Sequence, residues 1–304
     1  MCEPKLRRLL PHEGPASARL IHAALDTWYR RNLNSAKFGD AWEPFQVFAE
    51  IYEALDPGCC VVAEGDDGQL LGCAFYHPRP THVGVGIVAT DPEAGGRGIA
   101  RAMMEEIIRI ADGLPLRLVS SAMNLDSFSL YTRLGFVPHQ AFQDLTLEVP
   151  AAGLPGSFPG VRPAELSDIP AMSELEFRLS GLRREHDFRF FLQFPDAPWR
   201  VMILENASGA MLGFLAASTH PACPMLGPGI AIDEPTAATL IHASLHHLFK
   251  GRTPVWLVPV SATQLVRQAY AWGARNVEIH LASTLGSMPS TTGITLPTFL
   301  PESG

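Results

Sequence analysis

VGVGIVATDPEAGGRGIARA, residues 83–102, is the stretch whose reading decides the fold. Val83, Val85, Ile87 and Val88 form an apolar, β-branched run that predicts a buried strand. The run stops at Asp91-Pro92, passes through Gly95, Gly96 and Gly98, and resumes as a helix with Ile99, Met103 and Ile107 on one face. Strand, glycine loop and helix together present backbone N–H groups and a positive helix end to phosphate. Glycine suits such a loop because a Cβ would hold the phosphate off the backbone, and because tight turns use positive φ. Many glycine clusters are plain turns, so the loop alone does not decide the matter.

A second stretch adds the specificity. Leu116 to Ser120 predicts another strand, followed by Asn124, a helix from Asp126 to Leu134, and Gly135-Phe136. Together the two stretches resemble the GNAT superfamily of N-acetyltransferases. The family's loop, Arg/Gln-x-x-Gly-x-Gly/Ala, is met by Gly95-Gly96-Arg97-Gly98-Ile99-Ala100 except at its first position, and its downstream Asn…Tyr-x-x-x-Gly-Phe by Asn124, Tyr131, Gly135 and Phe136. The resemblance implies an α/β (α+β) fold of two GNAT-like domains, each a central mixed, mostly antiparallel sheet flanked by helices. It implies acetyl-CoA as acetyl donor, a small-molecule or peptide amine as acceptor, and direct attack in a ternary complex. For the coenzyme it implies Val88, Thr90, Gly95, Gly96, Arg97, Gly98, Ile99, Ala100, Asn124 and Tyr131, with the pantetheine arm bonding strand backbone at Val88 and Thr90. Gly84 and Gly86 are candidates for the bulge that opens the cleft for that arm.

Acetyl transfer needs a polarised carbonyl, a neutral amine and a proton for the departing thiolate. By the resemblance Tyr131 supplies that proton; as a bare residue it is equally a ring packed beneath the loop. Many relatives place a glutamate on the strand before the loop, and residues 82–90 contain none. His82 is then the candidate base, with His77, Glu64 and a water chain as alternatives. Trp28, Tyr29, Phe38 and Trp42 are candidates to line the acceptor pocket, or to pack the core. A non-catalytic acyl-CoA-binding sensor or scaffold is the competing function.

The remainder of the first half predicts helices over Ser17–Arg31 and from Pro44, a hairpin of Cys60–Glu64 with Leu70–Tyr76 across Gly65-Asp66-Asp67-Gly68, and final strands from Phe136 to Val149. Residues 151–160, rich in Pro, Gly and Ser, predict a linker between domains at 1–150 and 161–304. Beyond it the first pattern returns. Val61-Val62-Ala63-Glu64 with Gly68 and Gly72 is echoed by Met202-Ile203-Leu204-Glu205 with Gly209 and Gly213, and Tyr131…Gly135 by Tyr270-Ala271-Trp272-Gly273. The glycine loop does not return, so the second copy is read as degenerate. The tail from Gly286 predicts either an extended strap or disorder.

Composition sets outer limits. The chain has 304 residues, 47% hydrophobic and 18% charged, with net charge −8. The first half carries 13 Lys and Arg against 19 Asp and Glu, a surface that disfavours nucleic acid. No apolar run approaches the ~18 residues of a membrane span, and charged residues within 1–10 argue against a signal peptide. Five cysteines, odd in number and without metal spacing, suggest a reducing cytoplasm. His242 and His246 have i, i+4 spacing without a further ligand, so no metal is expected. Oligomeric state stays open.

Overall fold

Alternation along the first hairpin sets the layers. Cys60 and Val62 bury against one side of the sheet while Val61 and Ala63 bury against the other, so this strand is covered on both faces. The computed structural model describes residues 4–193, 198–287 and 290–301. In the first half it contains β1 (Lys5–Arg8), α1 (Gly14–Leu33), α2 (Gln46–Leu55), β2 (Cys60–Glu64), β3 (Leu70–Pro78), β4 (Val83–Thr90), α3 (Ile99–Ala111), β5 (Leu116–Ser121), α4 (Leu125–Arg133) and β6 (Val137–Thr146). The second half contains β7 (Val161–Pro163), α5 (Ile169–Ser180), α6 (Glu185–Gln193), β8 (Trp199–Glu205), β9 (Met211–His220), β10 (Cys223–Ala231), α7 (Glu234–Leu248), β11 (Val255–Pro259), α8 (Thr263–Ala271), β12 (Arg275–Leu285) and β13 (Ile294–Leu296).

The mixed, mostly antiparallel sheet flanked by helices is as expected, but the two halves share it. Its order is β1-β2-β3-β4-β5-β12-β6-β11-β10-β9-β8-β7, with β13 paired to β10 off this path. Each half therefore donates its last long strand to the other. β12 lies between β5 and β6, and β6 in turn pairs with β11. Instead of several final strands up to Val149, the first half has the single strand β6, and β12 takes the neighbouring place. Alternation says which face a residue takes, not which strand lies beside it, so this exchange left no mark in the pattern.

One face of the sheet carries a core common to both halves. Ile21 of α1, Tyr52 of α2, Met172 of α5 and Phe188 of α6 belong to it, together with Phe75 and Phe214 of the sheet. The opposite face carries two separate cores, one under α3 and one under α7 and α8. Met103, Met104 and Ile107 of α3 are fully buried, each contributing roughly 1.5–3 kcal/mol. Their approach requires Gly72, where a Cβ would lie 2.7 Å from the Met103 methyl group; Gly213 has the same task beneath Leu240 of α7, at 2.9 Å. Gly72 and Gly213 are one of the glycine pairs that the repeat preserves.

The paired halves differ in one respect that bears on function. β4 and β5 pair only at Val83–Leu116 and Gly84–Arg117, then part, leaving an open V between residues 85–90 and 118–121. The equivalent strands β10 and β11 pair only at Met225–Val255. There the V is filled: β13 runs antiparallel to β10 through Gly229–Leu296, Ile230–Thr295 and Ala231–Ile294, and also touches β11. Thr298 and Leu300 beyond it are buried, and the Phe299 carbonyl accepts a hydrogen bond from Tyr52 Oη of α2. Over the described residues the tail is thus a strap.

Candidate active site

The β4 strand bulges where its cleft opens. Ala74 pairs with Val88 but Tyr76 with Val85, so Gly86 and Ile87 face the single residue Phe75. A Cβ on Gly86 would sit 3.2 Å from that of Phe75, which accounts for glycine at this bulge. Beyond Thr90, Asp91 accepts from the Glu93 amide and turns the chain into the glycine loop. Gly96 and Gly98 have φ of +74° and +77°, and no atom lies within 4 Å of the Cβ either would carry. Their glycine is therefore a conformational requirement beside open space.

Gly98 is also the N-cap of α3, and it offers no side chain to the first-turn amides. The second half shows the opposite arrangement. Asp233 caps α7 by accepting from Thr236 N at 2.9 Å, and Pro235 removes a further amide. One helix end is left free for an anion and the other is satisfied internally.

A cavity of about 470 Å³ opens at the uncapped end. Val88, Thr90, Gly95, Gly96, Arg97, Gly98, Ile99, Ala100 and Tyr131 all line it, joined by Arg101 and Arg133. On the α1 side of the same cleft lies a second cavity of about 380 Å³, lined by Trp28, Arg31, Val88, Thr90, Gly95 and Asn124 among others. The two share Val88, Thr90, Gly95, Asp126 and Ser127, so they meet through the V. Asn124 borders only the α1-side cavity, where its side chain caps α4 by accepting from Ser127 N at 3.0 Å. Tyr131 is nearly buried and packs edge-on against Phe136 at 5.9 Å between ring centres.

Other residues expected at the site lie elsewhere. His82 stands at the closed end of the V, six residues and about 20 Å along the strand from Val88. It is buried and lines neither cavity, because the cleft opens toward Thr90. His77 is buried against Asp56 at 2.7 Å, and Glu64 is held by Lys5 and Arg7 at the sheet edge. Of the four aromatic candidates, Trp28 lines the α1-side cavity; Tyr29 and Phe38 continue from it as edge-to-face rings, and Trp42 stacks under Arg19. His242, His246 and His247 ring Phe158 of the segment between the halves, and no group of three metal-ligating side chains occurs among the described residues.

One carboxylate was not anticipated. Glu278 on β12 crosses from the second half to the end of β5, where Ser121 Oγ and Tyr29 Oη (2.6 Å) donate to it and Lys37 Nζ lies at 3.0 Å. Burial alone would raise its pKa, but the Ser121 and Tyr29 hydroxyls hold it below the usual carboxylate range. Its signal was the alternation of Glu278, His280 and Ala282, which buries two ionisable residues on one strand face.

Residues 22–136 match the model of the Acetyltransferase (GNAT) family. Over those residues the chain carries a GNAT acetyltransferase domain. Among solved structures the whole chain is similar to a Pyrococcus horikoshii protein proposed to be an acetyltransferase, with TM-score 0.77, 14% identity, and 99% of this chain and 96% of that one covered. A GCN5-related N-acetyltransferase from Sphaerobacter thermophilus follows with TM-score 0.62, 16% identity and coverage of 94% and 96%. A tandem GNAT protein from the clavulanic acid biosynthesis pathway has TM-score 0.61, 17% identity and coverage of 95% and 100%. At these identities the likeness is one of fold, and it extends over both halves of the chain. No curated protein sequence matches.

Proposed function

We propose that the protein is an N-acetyltransferase that moves an acetyl group from acetyl-CoA to a primary amine of a small molecule or peptide. In this reading residues 1–150 form the working domain, 151–160 the linker and 161–304 a degenerate copy. The uncapped α3 end beside two positive-φ glycines, opening on a cavity that continues into the β4–β5 cleft, carries the reading. Amides from Gly96 to Ala100 would take the coenzyme's diphosphate, and Arg97, Arg101 and Arg133 add positive charge at the rim. The free edge of β4 at Val88 and Thr90 suits an extended pantetheine arm bonded as an added strand. β-Strand amides at the bulge would polarise the acetyl carbonyl.

The acceptor then enters from the α1 side. Its neutral nitrogen attacks the acetyl carbon, the C–N bond forms, the C–S bond breaks, and Tyr131 donates a proton to the leaving thiolate. The proton shed by the nitrogen passes to water, from which the tyrosine is reprotonated. Glu278 borders neither cavity. Held ionised by Ser121, Tyr29 and Lys37, it anchors Tyr29, whose ring packs against the cavity-lining Trp28, so the second half would brace the acceptor side. Exchanging Glu278→Gln should loosen Tyr29 and raise KM for the amine severalfold with kcat little changed. An unchanged KM would rule that bracing out.

The reading is tested by calorimetric titration with acetyl-CoA and by free-thiol release with a panel of primary amines. One coenzyme per chain is expected, because the second cleft is filled by β13 and its helix end is capped. No measurable affinity would overturn the proposal. Tyr131→Phe should lower kcat roughly 100-fold while leaving coenzyme affinity within a factor of three. A non-catalytic acyl-CoA sensor is the second reading, because β4 brings no ionisable side chain to the cavity. Full coenzyme affinity without turnover of any amine would establish that reading instead.

A further inference from the structure

Where β4 and β5 begin to part, β5 carries a buried arginine. Arg117 pairs through its backbone with Gly84 at that apex, and its side chain turns in beneath α5 of the second half. It is 8% exposed, and its Nε and Nη1, both shut off from solvent, meet no hydrogen-bond partner. Burial and the nearby Arg184 pull its pKa down to about 10, so it still carries its charge at neutral pH. Buried guanidinium groups are ordinarily satisfied by carboxylates or other acceptors, and this one is an exception.

The groups around it do not supply the missing acceptor. A cavity of about 20 Å³ is bordered by Arg117, Gln140, Glu176, Ser180, Arg184 and Gly229. Glu176 is held by Arg184, which donates to both its oxygens at 2.9 and 3.0 Å, and makes no hydrogen bond to Nε or Nη1 of Arg117. Ser180 Oγ donates to the Glu176 carbonyl. Asp187, the next carboxylate along α6, binds Arg79. His139, near Arg117, is pushed down to about 4 by burial and by that arginine, so it is neutral. Among the residues that border the cavity, two guanidinium groups face one carboxylate, and the Arg117 donors look onto a space of atomic size.

We propose that this cavity binds one monovalent, halide-sized anion, chloride in ordinary solution. Its donors are Nε and Nη1 of Arg117. A water molecule offers the two N–H donors a neutral acceptor only, whereas an anion also meets the guanidinium charge. The anion sits where the apex of the first cleft meets α5 and the β10–β13 edge of the second half, and fastens the two together. The site lies outside the coenzyme cavity and does not depend on the catalytic reading.

The test compares thermal melting of the full chain in potassium bromide and potassium gluconate at equal ionic strength, gluconate being too large for the cavity. Saturable stabilisation by several degrees in bromide is expected, as for any ligand that binds only the folded state. Arg117→Met should lose that dependence, and crystals grown in bromide should show an anomalous peak within hydrogen-bonding reach of Nε and Nη1. Equal melting in the two salts, an undiminished halide effect in Arg117→Met, or a map with water alone would each overturn the proposal. Should Arg117→Met fail to fold, the wild-type salt comparison and the anomalous map decide on their own.

Discussion

Gly98→Val should weaken acetyl-CoA binding about 100-fold while the protein stays folded. At φ +77° a β-branched residue is strained, and relief of that strain withdraws the first amides of α3 from the cavity. Such backbone strain costs of order 1–3 kcal/mol, and each lost amide–phosphate contact about 1.5–3 kcal/mol. Two such losses correspond to roughly two orders of magnitude in dissociation constant. Gly209→Val is the control, since Gly209 has φ +80° in a hairpin of the second half, far from the glycine loop. It should bring the same strain, a similar drop of a few degrees in melting temperature, and no change in coenzyme affinity. Calorimetric titration of both variants separates the two outcomes; equal effects on binding would reduce the loop to a turn.

The largest effect on stability is expected from Arg79→Leu. Arg79, just beyond β3, is almost wholly buried and joins the halves: its Nε donates to both oxygens of Asp187 at 3.0 Å, and its Nη1 and Nη2 to Asp56 at 2.9 Å. Removing it leaves two buried carboxylates without their shared cation, a change that costs about 3–5 kcal/mol. Melting should fall by about 10 °C or more, read by calorimetry. The pH dependence has a definite sign. In the wild type, burial alone would raise the Asp56 carboxyl, but the His77 and Arg79 hydrogen bonds hold it below the usual carboxylate value. Its stabilising contribution is therefore complete above an unfolded pKa near 4 and is lost as pH falls through the lower folded value. In Arg79→Leu the buried carboxylates favour protonation, so the deficit against wild type should shrink as pH falls from 8 to 5. A constant deficit would show that lost packing, not charge, sets the cost.

How much of this was legible depends on what each signal encodes. Val83 to Ala102 combined a strand period, a loop that needs positive φ and a helical period, all local, and the structure reproduces the three elements in order. The echo of Gly72 in Gly213 was legible because one steric demand, a helix close against a strand, acts in both halves. His82 was chosen for its ordinary pKa, but pKa says nothing about which end of a strand an opening faces. Glu278 and Arg117 were passed over because their importance lies in contacts across more than a hundred residues, and these follow from the exchange of β6 and β12. The filling of one cleft by residues 294–296 was equally out of reach, since three residues in a Thr-, Pro- and Gly-rich segment carry no period of their own.

That filled cleft has a consequence for how such a duplicated molecule ages. A groove evolved to be completed by a bound cofactor is an unfinished surface, with backbone groups exposed along a seam. Losing the cofactor by mutation would ordinarily leave a sticky wound open to neighbouring molecules. Here the polypeptide has laid its own backbone into the gap beside β10, so any ligand seated there would first have to lift residues 294–296 out.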